Sequence, residues 1–207
     1  MVKAELDHLI VVGETLDAGV AHIEAALGIA MPPAVGRHAE MGTMNRLLSL
    51  GSEVYLEAIA VDPDAPPPGR PRWYGLDRVA GSPRLAYWAA RVSDLDAALA
   101  DAPVGSGRAM AFERGPYRWR FGVSDDGAVP WDGTAPVLLQ WESAHPAPAL
   151  PDLGCRLDGL EVRHPDMDRL ASSHPWITEV SGADLTKGAA PGLVARIMTP
   201  GGVRALA

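Results

Sequence analysis

At 207 residues, 47% of them hydrophobic, the chain can bury a full core without disulfide or metal staples. Its net charge of -8 excludes a general nucleic-acid or anionic-membrane binder, because phosphate-rich partners demand a basic surface field. A single cysteine, Cys155, cannot form an internal disulfide, the first residues carry no apolar signal core and no apolar run reaches membrane-spanning length, so a cytoplasmic protein is expected.

In chain order, residues 4–12 read as a strand and Leu16 to Leu27 as a helix, with Thr15 as its N-cap and Gly28 as the left-handed residue that closes it. Extended segments are predicted at Ala34 to His38, Asn45 to Leu50 and Glu53 to Ala60, giving a βαβββ unit over residues 1–62. The proline-rich stretch from Pro63 to Arg72 cannot continue a helix or a central strand, and residues 63–80 read as a connecting surface loop. A second unit over 81–150 has a strand at Leu85 to Val92 and a helix from Leu95 to about Asp101, capped by Ser93. Its later strands are predicted at Arg108 to Arg114, Tyr117 to Val123 and Pro136 to Glu142. A compressed third unit over 151–207 takes a strand at Arg156 to Arg163, a helix near Asp166 to Ser173, and strands at Ile177 to Ser181, Leu193 to Thr199 and Val203 to Leu206. All three are expected to pack as one compact body.

The units repeat one another. Leu6 to Asp17 and Leu85 to Asp96 follow the same strand, turn and helix-start pattern without a gap, and Leu157 to Asp168 repeats the spacing. In this register His8 aligns with Tyr87, and Tyr55-Leu56-Glu57 with Leu138-Leu139-Gln140. Simple alternation puts His8 on the face of Leu6 and Ile10, and Glu57 on the face of Tyr55 and Ile59. An imidazole and a carboxylate among apolar strand residues are costly unless they gain a hydrogen bond, an ion pair or a metal, so both are candidate site residues. The competing reading of His8 is a core histidine paired to a carboxylate or carbonyl, whereas Glu57 is harder to explain as scaffold.

Other features are less specific. Arg37 and His38 follow a glycine and precede Gly42-Thr43, and read as cationic residues on a flexible loop that could meet an anionic substrate or merely be solvated. Asn45 could bond a ligand or close that turn. Arg114, Arg118 and Arg120, interleaved with Tyr117 and Trp119, alternate onto one face, either a carboxylate-binding wall or an outer face paired with Asp125 and Asp126. Cys155 reads as a buried structural thiol. There is no glycine-rich phosphate loop, no G-x-S-x-G elbow and no H-E-x-x-H pair.

Repeated βαβββ units with a histidine in the first strand and a glutamate in the fourth resemble the vicinal oxygen chelate superfamily. More narrowly, Gly36-Arg37-His38-Ala39-Glu40-Met41-Gly42-Thr43-Met44-Asn45-Arg46-Leu47-Leu48, Gly51 and Tyr55-Leu56-Glu57-Ala58-Ile59-Ala60 resemble the glyoxalase-like domain family, and the likeness continues through Phe112-Glu113-Arg114, Trp119-Arg120, Leu139-Gln140-Trp141 and His145-Pro146. The resemblance implies an α+β fold, with βαβββ units forming half-open mixed-sheet barrels around a pocket. It also implies a metal site built from His8, Glu57 and Gln140, with Tyr87 in the fourth position. The ion would be divalent iron, manganese, nickel or zinc, weakly held or absent because only His8 and Glu57 are strong ligands at neutral pH.

The expected function is that of a metal-dependent lyase or isomerase acting on a small oxygenated substrate, with Glu57 and His8 catalytic. Arg37, His38, Asn45, Tyr87, Arg114, Trp119, Gln140 and Trp141 would bind the substrate. The alternative is a protein that holds a small aromatic or hydrophobic molecule without chemistry. Expected partners are a small-molecule ligand and a second copy of the chain in a homodimer, with no nucleic acid and no membrane.

Overall fold

The computed structural model describes residues 3–207. β1 (Ala4–Val12) is followed by α1 (Leu16–Leu27), β2 (Val35–His38), β3 (Thr43–Ser49) and β4 (Tyr55–Val61). β5 (Arg84–Val92), α2 (Leu95–Ala100), β6 (Arg108–Arg114), β7 (Tyr117–Val123) and β8 (Val137–Trp141) repeat the order. β9 (Arg156–His164), α3 (Met167–Ser173), β10 (Ala183–Lys187), β11 (Gly192–Thr199) and β12 (Gly202–Leu206) complete the chain.

Eight strands form one mixed sheet in the order β2-β3-β4-β1-β5-β8-β7-β6, curled into a nearly closed barrel. β1 and β5 run antiparallel at its centre, and each pairs in parallel with the last strand of its own half, β4 or β8. A separate four-stranded sheet has the order β10-β9-β11-β12. Among the described residues no helix is long and apolar enough to cross a membrane.

The two faces of the large sheet have different chemistry. Leu9, Val11, Leu56, Ala58, Trp88 and Ala90 pack outward against Val20, Ile23 and Leu27 of α1 and against the small sheet's Leu160, Val162 and Leu193. Ile10, Val12, Ile59, Phe112, Phe121 and Leu139 face inward with Trp73 and Tyr74. At about 25 cal/mol per Å² of apolar surface removed from water, this two-sided burial dominates the stability of the sheet.

Several local expectations are corrected. Asp94, not Ser93, caps α2, accepting the Ala97 N–H at 3.1 Å. Residues 177–181 do not form a strand: Pro175 starts a short helical turn through Glu179, and the strand lies at Ala183–Lys187 beyond Gly182. Arg37 and His38 belong to β2, which pairs with β3, and so are not on a loose loop. In β1 the pairing register shifts between Leu6 and His8, a bulge that turns Leu6 outward into the α1 core and away from the face of His8 and Ile10.

The segment read as a connector supplies part of the inner wall. Trp73 and Tyr74 are buried. Tyr74 adopts φ +58, a left-handed conformation that costs a non-glycine residue about 1–2 kcal/mol. Its surroundings hold it there: the Gly75 N–H donates to the Gly127 carbonyl at 2.7 Å, and the Tyr87 hydroxyl donates to the Tyr74 carbonyl at 3.0 Å. Gly127 itself sits at φ +73, where a Cβ would overlap the Arg72 carbonyl. Gly127→Ala is therefore expected to lose about 2–4 kcal/mol and to displace Trp73 and Tyr74, because strain and backbone overlap add. Gly115→Ala, at φ +57 with open space around it, should lose only about 1–2 kcal/mol. Urea unfolding with tryptophan fluorescence measures both, and equal losses would remove Gly127 as the clamp on this segment.

Candidate functional site

The β1 bulge does more than move Leu6. Successive strand residues ordinarily point to opposite faces, yet here the Asp7 carboxylate reaches the His8 ring beside it, Oδ1 lying 2.6 Å from Nδ1. Asp7 is fully buried. Its Oδ2 accepts the Trp141 indole N–H at 2.8 Å and lies 3.1 Å from His145 Nε2. Burial opposes ionisation of Asp7, but the bonds from His145 and His8 overcome it and hold the carboxyl well below the usual carboxylate range. The carbonyl of Leu6, at the bulge, accepts from Arg91 at 3.1 Å.

An ionised Asp7 fixes the tautomer of His8, placing a proton on Nδ1 and directing Nε2 into the barrel. His8 is stacked flat on Tyr55, ring centroids 4.6 Å apart and planes inclined by 10°. Its Nε2 stands 3.7 Å from Glu57 Oε2 and 3.5 Å from the Tyr74 hydroxyl. Glu57 is only 5% exposed, and its other oxygen accepts from the Asn45 amide. Burial pushes the Glu57 carboxyl above its ordinary value, against the pull of His8, Asn45 and Arg114. Burial likewise pushes the Tyr74 phenol up, so it stays protonated.

These groups line a chamber of about 40 Å³, walled otherwise by Trp73, Trp119, Phe121, Leu139 and Trp141. Outside it lies a vestibule of about 610 Å³, and Asn45, Leu47, Arg114, Tyr117 and Pro146 border both spaces. Arg114 NH1 donates to Asn45 Oδ1 at 3.1 Å and lies 3.2 Å from His38 Nε2.

Of the residues nominated from sequence, His8, His38, Asn45, Glu57, Arg114, Trp119 and Trp141 meet at the chamber. Arg37 lines only the vestibule and pairs with Asp62. His38 is not the cation its sequence position suggested: burial and the Arg114 charge push its ring down to about 3, and its Nδ1 faces the Thr43 hydroxyl at 3.1 Å. Tyr87 lies opposite Ile10 in the register, and Tyr74 stacks over it at 5.4 Å, taking the place beside His8. Gln140 has the opposite parity to Leu139 and Trp141, and its Oε1 accepts the Leu95 N–H at the start of α2. Nor do the three arginines share a face: the turn after Arg114 breaks the alternation, and Arg120 pairs with Asp96 on α2 at 2.9 Å. Asp7, His145, Trp73 and Tyr74 were not nominated.

The donor set does not fit a divalent metal. With Gln140 and Tyr87 committed elsewhere, one imidazole nitrogen and one carboxylate oxygen remain, and the second Glu57 oxygen is already bonded. Among the described residues no group of three or more His, Cys, Asp or Glu side chains is arranged to hold a metal ion.

The buried ring of His38 has a measurable consequence. Its folded pKa, about 3, lies below the unfolded value of 6.5, so the unfolded chain binds the extra proton and stability falls as pH drops below 6.5. Between pH 7 and 5 this amounts to about 2 kcal/mol. Glu57 has the opposite sign, since its raised pKa favours the fold as pH falls. Comparing parent with His38→Gln isolates the histidine: the variant's stability should fall less from pH 7 to pH 5 by about that amount, and parallel urea-derived curves would refute a neutral buried His38.

Comparison with known proteins places this geometry in a family. The chain is similar over 98% of its length to a hypothetical protein from Staphylococcus aureus, of which it covers 98%, at 13% identity and a TM-score of 0.61, which establishes the shared fold. A methylmalonyl-CoA epimerase from Mycobacterium tuberculosis is 22% identical over 70% of this chain and 92% of its own, with a TM-score of 0.42. A methylmalonyl-CoA epimerase from Streptomyces coelicolor is 19% identical over 70% of this chain and 96% of its own, with a TM-score of 0.43. No curated protein matches the chain. The family model of the glyoxalase-like domain matches residues 6–178. The chain therefore belongs to the glyoxalase-like domain family, within the vicinal oxygen chelate superfamily.

Proposed function

We propose that the chamber transfers protons at a carbon next to a carbonyl or carboxylate of a small molecule, using Glu57 and His8 as the paired acid and base. One observation carries the reading: two buried titratable groups stand 3.7 Å apart, and the position of one is fixed by a third buried group, Asp7. Glu57 takes the proton from carbon, the electron pair moves onto the substrate oxygen, and the Nε2–H of protonated His8 bonds to that oxygen or returns a proton to carbon. Burial favours this exchange, because a raised Glu57 holds its proton more firmly once taken and a dry site strengthens the field of the imidazolium. Asp7 supports the charged ring without reaching substrate. Arg114 and Asn45, at the mouth, lie where negative charge on the substrate would gather.

The reading is tested by following exchange of the α-hydrogen with deuterium oxide by proton NMR, across a panel of 2-oxo acids and α-substituted carboxylates. Glu57→Gln is expected to reduce exchange on a responsive compound by about 10²–10⁴-fold. Asp7→Asn should also reduce it, because the ring of His8 is no longer held with its proton on Nδ1. No exchange by the parent on any member of the panel would withdraw the proposal.

A second reading, binding without chemistry, draws on the four indole and phenyl rings of Trp73, Trp119, Phe121 and Trp141 that wall the chamber. It would be favoured by tight binding of an aromatic compound that Glu57→Gln leaves intact, with no exchange.

Glu57→Gln also separates site from scaffold. A carboxyl whose folded pKa lies above 4.5 contributes stability at low pH and loses it as pH rises. The amide keeps an acceptor for Asn45 and carries no charge to bury. The variant is therefore expected to be at least as stable as the parent at pH 8 in urea unfolding, and a loss of 3 kcal/mol, of the size about 3–5 kcal/mol seen for broken buried pairs, would make Glu57 scaffold.

A further inference from the structure

Resting on the reading of the chamber as a proton-transfer site, we propose that its substrate is a carboxylate with an apolar body, its head held in the chamber by Arg114 and its hydrocarbon or aryl body lying in the vestibule. Three observations lead there. The first is size. A chamber of 40 Å³ has room for roughly three water-sized groups, enough for a carboxylate and the carbon beside it, whereas the 610 Å³ vestibule matches an ordinary small-molecule pocket. A substrate wholly contained in the chamber would make no use of that space.

The second observation is charge. The vestibule carries two arginines. Arg37 is neutralised by Asp62 and approached by Asp64, while Arg114 has no carboxylate partner within 4 Å among the described residues and bonds only to Asn45 and His38 through one nitrogen. A single uncompensated guanidinium at the throat suits a monoanion, and its planar fork suits a carboxylate.

The third is the wall of the vestibule itself. Pro32, Pro33, Pro146 and Pro151 form much of it, with Val35 and Leu150. Proline has no N–H, so this wall cannot satisfy the many acceptors of a phosphorylated or nucleotide-bearing body, but it offers a rigid surface for hydrocarbon. The chain's net charge of -8 further disfavours a polyanionic body.

Isothermal titration of the full chain with acetate, hexanoate, octanoate, 3-phenylpropanoate, octanamide and acetyl-CoA tests the proposal. Affinity is expected to rise roughly two- to fourfold per methylene, making octanoate, with six methylenes more, at least about sixtyfold tighter than acetate. Octanamide should bind at least tenfold more weakly than octanoate, and Arg114→Gln should close that gap. Leu150→Glu, on the outer vestibule wall, should weaken octanoate at least tenfold and leave acetate unchanged. Affinity independent of chain length, equal binding of acid and amide, or tighter binding of acetyl-CoA than of octanoate would overturn it. The reaction is judged separately: chain-length-dependent binding of carboxylates with no deuterium exchange keeps the ligand class and sinks the chemistry, while exchange that runs equally well on acetate-sized and long substrates sinks the ligand class.

Discussion

The site depends on the buried Asp7 carboxylate. A carboxylate removed from water costs several kcal/mol unless its oxygens are bonded, and here His8, Trp141 and His145 meet both of them. These partners come from β1, from β8 and from the loop after β8, so one charge ties the two halves of the barrel together across the β1–β5 seam. The same charge decides which nitrogen of His8 faces the chamber. Loss of Asp7 would leave two histidines and an indole without their acceptor, a cost that adds to any effect on chemistry.

Bulge and strain cooperate to bring this about. The shift between Leu6 and His8 aims a residue inward that a regular strand would aim outward, and the Leu6 carbonyl at that point finds Arg91. On the other side of the ring, Tyr74 holds a left-handed conformation that the Gly127 and Tyr87 contacts help to over-determine. Both irregularities converge on His8 Nε2, within 4 Å of a carboxylate and a phenol, which is where backbone strain has a use.

Much of this was legible beforehand. Periodicity and caps located α1 to the residue, because Thr15 and Gly28 are unambiguous end signals, and internal repetition pointed to paired βαβββ units. His8 and Glu57 stood out because ionisable residues are expensive on an apolar strand face. What alternation could not reveal was Asp7: its parity is that of an outward residue, and only the bulge changes it. Trp73 and Tyr74 were hidden for a different reason, since proline-rich sequence announces irregular backbone but not whether that backbone runs over the surface or folds back into a barrel. Gln140 shows that repeated spacing does not fix which way a strand residue faces, because a shift of one residue reverses the face of every side chain in the strand.

The two halves of the barrel have divided the work unequally. β1, β3 and β4 contribute Asp7, His8, Asn45 and Glu57, while β7 and β8 contribute Trp119, Phe121, Leu139 and Trp141. The division has an electrostatic logic. Aromatic and aliphatic walls exclude water, which strengthens each interaction among the ionisable groups opposite and raises the cost of leaving any of them unpaired. A second set of charged ligands on β7 and β8 would dilute that effect unless a cation compensated it. With an amide turned toward α2 and a phenol turned toward a backbone carbonyl, the second half instead supplies a low-dielectric surface, and Arg114, which it places at the mouth, reaches across to Asn45 on the first half. The arrangement is thus suited to holding a proton between Glu57 and His8 while presenting a single positive charge to what enters.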